Sequence, residues 1–147
     1  MNTMHRILTG CFAGLIIAAV AHAASWTDDY ASALAKAQKE HKLLLLNFTG
    51  SDWCPWCKKV DAEVFETKQF EDFATARLVL VTLDFPREHE LSKAVADQNA
   101  ALQAKYGIRG FPTIIVLNPN EKVVLKQEGY KEGGAEAFLA LFPKPSS

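Results

Sequence analysis

Apolar and polar residues fall in blocks along the chain, and the period changes from block to block. Trp26, Tyr30, Leu34 and Ala37 recur at helical spacing around Thr27, Asp28 and Asp29, which predicts a one-faced helix ending near Lys39 with Thr27 as its N-cap. Leu43 to Phe48 is apolar throughout except for Asn47 and is bounded by Thr49-Gly50-Ser51-Asp52, the pattern of a strand buried on both faces. Cys54 to Phe65 reads as a helix with Pro55 in its first turn, and Leu78 to Phe85 as a second, β-branched strand closed by Pro86. Helical spacing returns at Leu91, Val95, Leu102 and Tyr106, predicting a helix over 88–106 with a break near Asp97 to Asn99 and Gly107 as its stop. Strands at Thr113–Leu117 and Lys122–Lys126 flank Asn118-Pro119-Asn120-Glu121, a hairpin signature. After Gly133-Gly134 a last helix presents Phe138, Leu141 and Phe142, and Lys144 to Ser147 forms a frayed tail. Crossover helices followed by a hairpin make the fold class α/β, with a mixed central β-sheet flanked by helices on both faces.

The first block is of another kind. A short polar stretch ending in His5 and Arg6, an apolar run from Ile7 to Val20 and a close on Ala21-His22-Ala23 make residues 1–23 a signal peptide and residues 24–147 one domain, in the periplasm or secreted. Two competing readings are an uncleaved anchor and lipidation of Cys11 within Leu8-Thr9-Gly10-Cys11. Against lipidation, nearly all of the apolar run follows this cysteine instead of preceding it.

Composition narrows the function. The 147 residues carry 16 Lys and Arg against 17 Asp and Glu, and no basic cluster goes beyond the Lys58-Lys59 pair, so nothing marks a nucleic-acid partner. Three cysteines are too few for a disulfide scaffold, and loss of the first segment removes Cys11. What is left is one Cys-Pro-Trp-Cys unit, Cys54 and Cys57, in a compartment where disulfides persist.

A thiol attacks as its thiolate, and a helix N-terminus stabilises one through free N–H groups and the positive end of the dipole. Cys54 holds that place and is the candidate nucleophile. Cys57, one turn further in, is the candidate resolving thiol. The competing readings are a purely structural disulfide, which for so short a loop stabilises by only about 2 kcal/mol, and a metal site, for which His41 and His89 lie too far along the chain. Both histidines read as surface residues. Trp53 and Trp56 flank the pair, either as an apolar platform for a partner chain or, for Trp53, as packing beneath the loop. Lys58 and Lys59 read as solvated helix charges, or else as help for a thiolate.

With these residues in place, the sequence resembles the thioredoxin superfamily, in particular secreted bacterial thioredoxin-like proteins of the thiol:disulfide interchange type. Asn47-Phe48, Trp53-Cys54-Pro55-Trp56-Cys57-Lys58 and Gly107-Ile108-Arg109-Gly110-Phe111-Pro112-Thr113 carry the resemblance. It implies a thioredoxin-like fold and a cis Pro112 beside the cysteines. It also implies a substrate-binding surface in which the main chain of Phe111 pairs with a bound chain and Pro112 keeps the site open.

The sequence departs from that family in several places. Asn47 stands where many thioredoxins have a buried Asp, and Leu78 to Leu83 lacks the Lys that commonly approaches it. The source of the Cys57 proton acceptor is thus open, with water or Asp52 as candidates. The loop Thr49 to Asp52 is one residue longer than in a minimal thioredoxin, and Glu88 to Gln98 reads as extra helix. Pro55-Trp56 carries no titratable group, which favours a reducing or intermediate pair over a strong oxidant. The expectation is a monomeric protein-disulfide reductase needing no metal or organic cofactor. It would exchange disulfides with protein thiols and, by the resemblance, draw electrons from a membrane disulfide-interchange reductase. The alternatives are an exported oxidase or isomerase, and a non-catalytic protein-binding module.

Overall fold

The computed structural model describes residues 23–144. All of the expected signal peptide except Ala23 lies outside them, as does the end of the expected tail.

Five strands form one mixed sheet in the order β1-β3-β2-β4-β5: β1 Trp26–Thr27, β2 Leu43–Thr49, β3 Leu78–Asp84, β4 Thr113–Leu117 and β5 Val123–Glu128. The pairs β1/β3 and β2/β3 are parallel, and β2/β4 and β4/β5 are antiparallel. Helices α1 Tyr30–Glu40, α2 Pro55–Val60, α3 Lys68–Arg77, α4 Lys93–Lys105 and α5 Gly134–Leu139 cover it. Because successive strand residues point to opposite faces, the sheet builds two cores. Ala33 and Ala37 of α1 and Leu102 of α4 pack on Leu44, Leu46, Phe48, Val79, Val81 and Leu83. Val60, Phe70 and Phe138, from α2, α3 and α5, pack on Leu45, Leu78, Leu80, Ile114 and Val116. The apolar run Leu43 to Phe48 is buried on both faces, as its pattern indicates.

The differences from the expected elements have local causes. The N-cap of α1 is Asp29, whose carboxylate accepts the Ser32 N–H at 3.0 Å, and Thr27 instead belongs to β1, too short a strand to show any alternation. Between the expected helix and β3 the chain forms α3, capped by Thr67 with Phe70 and Ala74 facing the core. Residues 88–92 are not helical. The 93–105 helix starts behind Ser92 and runs unbroken through Asp97 to Asn99, because the buried Asn99 donates its amide to the Asp84 carbonyl at 2.9 Å. The hairpin turn is held by Asn118 Oδ1, which accepts the Asn120 and Lys122 amides at 3.0 Å, and β5 then extends to Glu128. Helix α5 stops at Leu139, so Phe142 is buried by the following turn while Leu141 stays 53% exposed.

Candidate active site

Strands β2 and β3 run parallel and end together at Thr49 and Asp84, and the loop 50–54 lifts from that edge into α2. Cys54 is the N-cap of α2, and its Sγ accepts the Cys57 N–H at 3.2 Å. The two cysteines form a disulfide with their Cα atoms 5.3 Å apart. Cys54 is 3% and Cys57 1% exposed, so one turn of helix aims both sulfurs at a nearly closed surface. On reduction, the amide that now meets Cys54 Sγ and the helix dipole favour its thiolate over its thiol.

The loop before Cys54 is fixed by polar contacts. Ser51 donates its hydroxyl and its amide to the Asp84 carboxylate at 2.5 and 2.9 Å. Asp52 accepts the Arg87 and Glu88 amides at 3.0 and 2.7 Å and lies 3.2 Å from His89 Nδ1. Burial works to raise the Asp52 carboxyl, but the Glu88 and Arg87 amides and His89 outweigh it and hold it below the usual carboxylate range. Asp52 is therefore an ionised carboxylate that ties the loop before Cys54 to residues 87–89.

The two flanking tryptophans part company. Trp53 donates its indole N–H to the Phe85 carbonyl at 2.8 Å, stacks under the Arg87 guanidinium at 3.6 Å and meets Phe111 edge-on at 5.9 Å. Its indole lies across Gly50 so closely that a Cβ there would collide with it. Trp56 is 54% exposed and stacks on Tyr130, with ring centroids 5.5 Å apart and Lys59 Nζ 4.6 Å from the Tyr130 ring. The Tyr130 hydroxyl donates to Glu63 at 2.5 Å. Lys59 thus joins an aromatic cluster, while Lys58 reaches the Asp52 carbonyl at 3.4 Å.

The Phe111-Pro112 bond is cis. Its loop meets one flank of the cysteine pair through Phe111 on Trp53, and the Pro112 carbonyl accepts the amide of Gly129, the residue before Tyr130, at 2.8 Å. The structure therefore gathers Trp53, Cys54, Trp56, Cys57, Phe111 and Pro112 at one end of the sheet.

One residue the sequence reading passed over belongs here. Helix α2 continues as a π-helical turn, Asp61–Phe65, closed by the Glu66 N–H on the Asp61 carbonyl at 2.8 Å. Asp61 lines a cleft of about 270 Å³ with Asn47, Thr49, Ser51, Glu66 and Thr82, walled by Trp26 and Phe65. Burial, reinforced by Glu66 and Asp84, raises its carboxyl to about 6. Asn47 and Thr49 are 5% and 3% exposed, and Asn47 Oδ1 and Thr49 Oγ1 find no protein partner. The available signal was the spacing of four from Cys57, which puts Asp61 on the same helix face.

Among the described residues no cluster of His, Cys, Asp and Glu is arranged to hold a metal, and no helix is long and apolar enough to cross a membrane. Residues 30–144 match the model of the thioredoxin-like domain. The chain is 33% identical over 113 residues to the disulfide bond reductase DsbH of Chlamydia pneumoniae, covering 77% of this chain and 68% of that one. It is 31% identical over 101 residues to the thioredoxin-related protein DsbJ of the same organism, of which it spans only 29%. A solved DsbH oxidoreductase superposes with a TM-score of 0.75 at 29% identity, over 95% of this chain and 90% of that one. A thioredoxin from Thermus thermophilus shares the fold with a TM-score of 0.61 at 22% identity, over 80% and 82% of the two chains.

Proposed function

The chain belongs to the thioredoxin-like family as a thiol–disulfide oxidoreductase, and on that premise we propose that it is an exported, monomeric reductase of protein disulfides. The observation that carries this reading is a helix-capping Cys54, bonded to Cys57, at the loop of a cis Phe111-Pro112. Export rests on the secretory pattern of residues 1–23. The reducing direction is supported by the absence of a titratable residue between the cysteines and by the DsbH relative, which is named a reductase.

In the reaction, the Cys54 thiolate attacks one sulfur of a substrate disulfide, forming a mixed disulfide and releasing the other substrate sulfur as a thiolate. Cys57 then attacks Cys54 Sγ, expels the second substrate thiolate and leaves the Cys54–Cys57 disulfide seen here. The substrate leaves with two electrons, and a donor dithiol, for which a membrane disulfide-interchange reductase is our candidate, restores the pair. Phe111 offers its main chain to the substrate beside Pro112. Trp53 and the exposed Trp56 supply apolar contact on either side.

Turbidity during insulin reduction by dithiothreitol tests the chemistry. Wild-type protein accelerates it and Cys54→Ser abolishes the acceleration; unchanged activity in that variant overturns the assignment. Equilibration in glutathione buffers tests the direction, with a potential near the oxidant end of the −270 to −120 mV range of the superfamily excluding a reductase.

A further inference from the structure

Expelling the substrate requires the Cys57 thiol to lose a proton while it is 1% exposed, and the side chain on the strand beneath, Asn47, cannot titrate. We propose that Asp61 is the proton acceptor for Cys57, exchanging the proton through the polar cleft that it shares with Asn47, Thr49 and Thr82. The proposal rests on the oxidoreductase reading above and deepens it.

Three observations place the carboxyl. The Asp61 amide donates to the Cys57 carbonyl, so the two side chains project from one helix face with their Cβ atoms about 5–6 Å apart. The π-helical turn begins at Asp61, and turns of this kind recur at functional sites. The cleft is also polar and large enough to admit water. Asn47 and Thr49, both more than nine-tenths buried, line it, and each carries a side-chain oxygen that the protein leaves unpartnered.

The charges around Asp61 suit a carboxyl that changes protonation near neutrality. Glu66, on the same turn, and Asp84, at the end of β3, both oppose its ionisation. Asp84 is in turn 3.8 Å from His89 Nε2. Lys58, three residues before Asp61, spends its ammonium on the Asp52 carbonyl, and the cleft residues from β1, β2 and the 50–54 loop are uncharged.

The step balances without a further reagent. Cys57–SH gives its proton to the Asp61 carboxylate, and the resulting thiolate attacks Cys54 Sγ. The Cys54–substrate S–S bond breaks, and the substrate sulfur leaves with the electron pair. The proton then passes from Asp61 to solvent or to the departing thiolate.

Single-turnover oxidation of the reduced protein by a disulfide peptide, followed from pH 5 to 9, separates formation of the mixed disulfide from its resolution. Wild type is expected to show an acid limb in the resolution rate. Asp61→Asn is expected to lose this limb and to resolve about 10²-fold more slowly at pH 7, a typical general-base contribution, with the first step unchanged. Asp61→Glu restores the limb, and so does Asn47→Asp in the Asp61→Asn background, because it returns a carboxyl to the same cleft. An Asp61→Asn profile identical to wild type, or failure of both restorations, overturns the role of Asp61. A wild-type protein inert towards the peptide overturns the oxidoreductase reading instead.

Discussion

On the α1/α4 side of the sheet, Leu44, Leu46 and Phe48 of β2 and Val79, Val81 and Leu83 of β3 keep their burial dry to the ends of both strands. On the opposite side the same strands begin with Leu45, Leu78 and Leu80 and finish with Asn47, Thr49, Thr82 and Asp84. One face is therefore a core throughout. The other is a core for half its length and gives way to a polar cleft at the cysteine helix for the rest. The contrast separates two demands: closing the sheet requires an apolar layer, whereas moving a proton to and from a buried thiol requires polar groups where packing alone would have placed Leu or Val.

The sharpest way to break the comparison is to injure the dry face. Phe48→Ala removes a fully buried ring and is expected to lower the unfolding free energy by about 3–5 kcal/mol, measured by denaturant titration. The acid limb of the resolution rate should survive in the folded protein. If that limb disappears as well, the two faces are not independent.

A smaller effect of opposite sign is expected on the polar face. The Asp61 carboxyl rises from 3.8 unfolded to about 6 folded, so the folded state binds its proton more tightly. Its favourable contribution is complete below pH 3.8 and is lost as the pH climbs through about 6. Asp61→Asn, permanently neutral, should match wild type near pH 3.5 and be more stable above pH 6, by about 1 kcal/mol after allowance for solvent screening of a half-exposed group. Thermal melts of the oxidised protein at the two pH values decide the sign; a variant less stable at pH 7.5 refutes the electrostatic cost.

The smallest expected change lies at the rim. Trp56→Ala takes away an exposed ring and should alter stability by no more than about 0.5 kcal/mol. It should nevertheless raise KM for a protein disulfide several-fold while leaving the rate with a small aliphatic disulfide as it was. Equal losses on both substrates would place Trp56 in the chemistry and not in recognition.

Much of this was legible along the chain. The uninterrupted run Leu43 to Phe48 announced a strand with helices on both sides, and Cys54 with Pro55 behind it announced a thiol at a helix start. What escaped had weak or misleading local signals. The strand Trp26–Thr27 is two residues long and is defined by its parallel pairing with Leu80 and Val81 and by the packing of Trp26 on Phe65 and Phe70. The polar Asp97 to Asn99 stretch imitates a helix break, and only tertiary contact shows that Asn99 caps the end of β3. Asp52 and Asp61 are both acids close to the cysteines, and no sequence rule distinguishes the one tied to amides from the one facing a cleft. That difference arises when 87–89 folds over the first and the π-helical turn carries the second beneath the sheet edge.

The same turn makes the length of the cysteine helix a matter of counting. Its i to i+5 closure, Glu66 onto Asp61, accommodates one residue more than an α-helical turn would. A single deletion at Ala62 would let Glu66 close on Asp61 as an ordinary i to i+4 turn and would leave the direction of the chain beyond it unchanged. A chain that kept the extra residue but closed the turn regularly would instead swing Phe65 by about 100° away from Trp26 and Phe138. The surplus residue behaves as an insertion that the packing of three aromatic rings now holds in place.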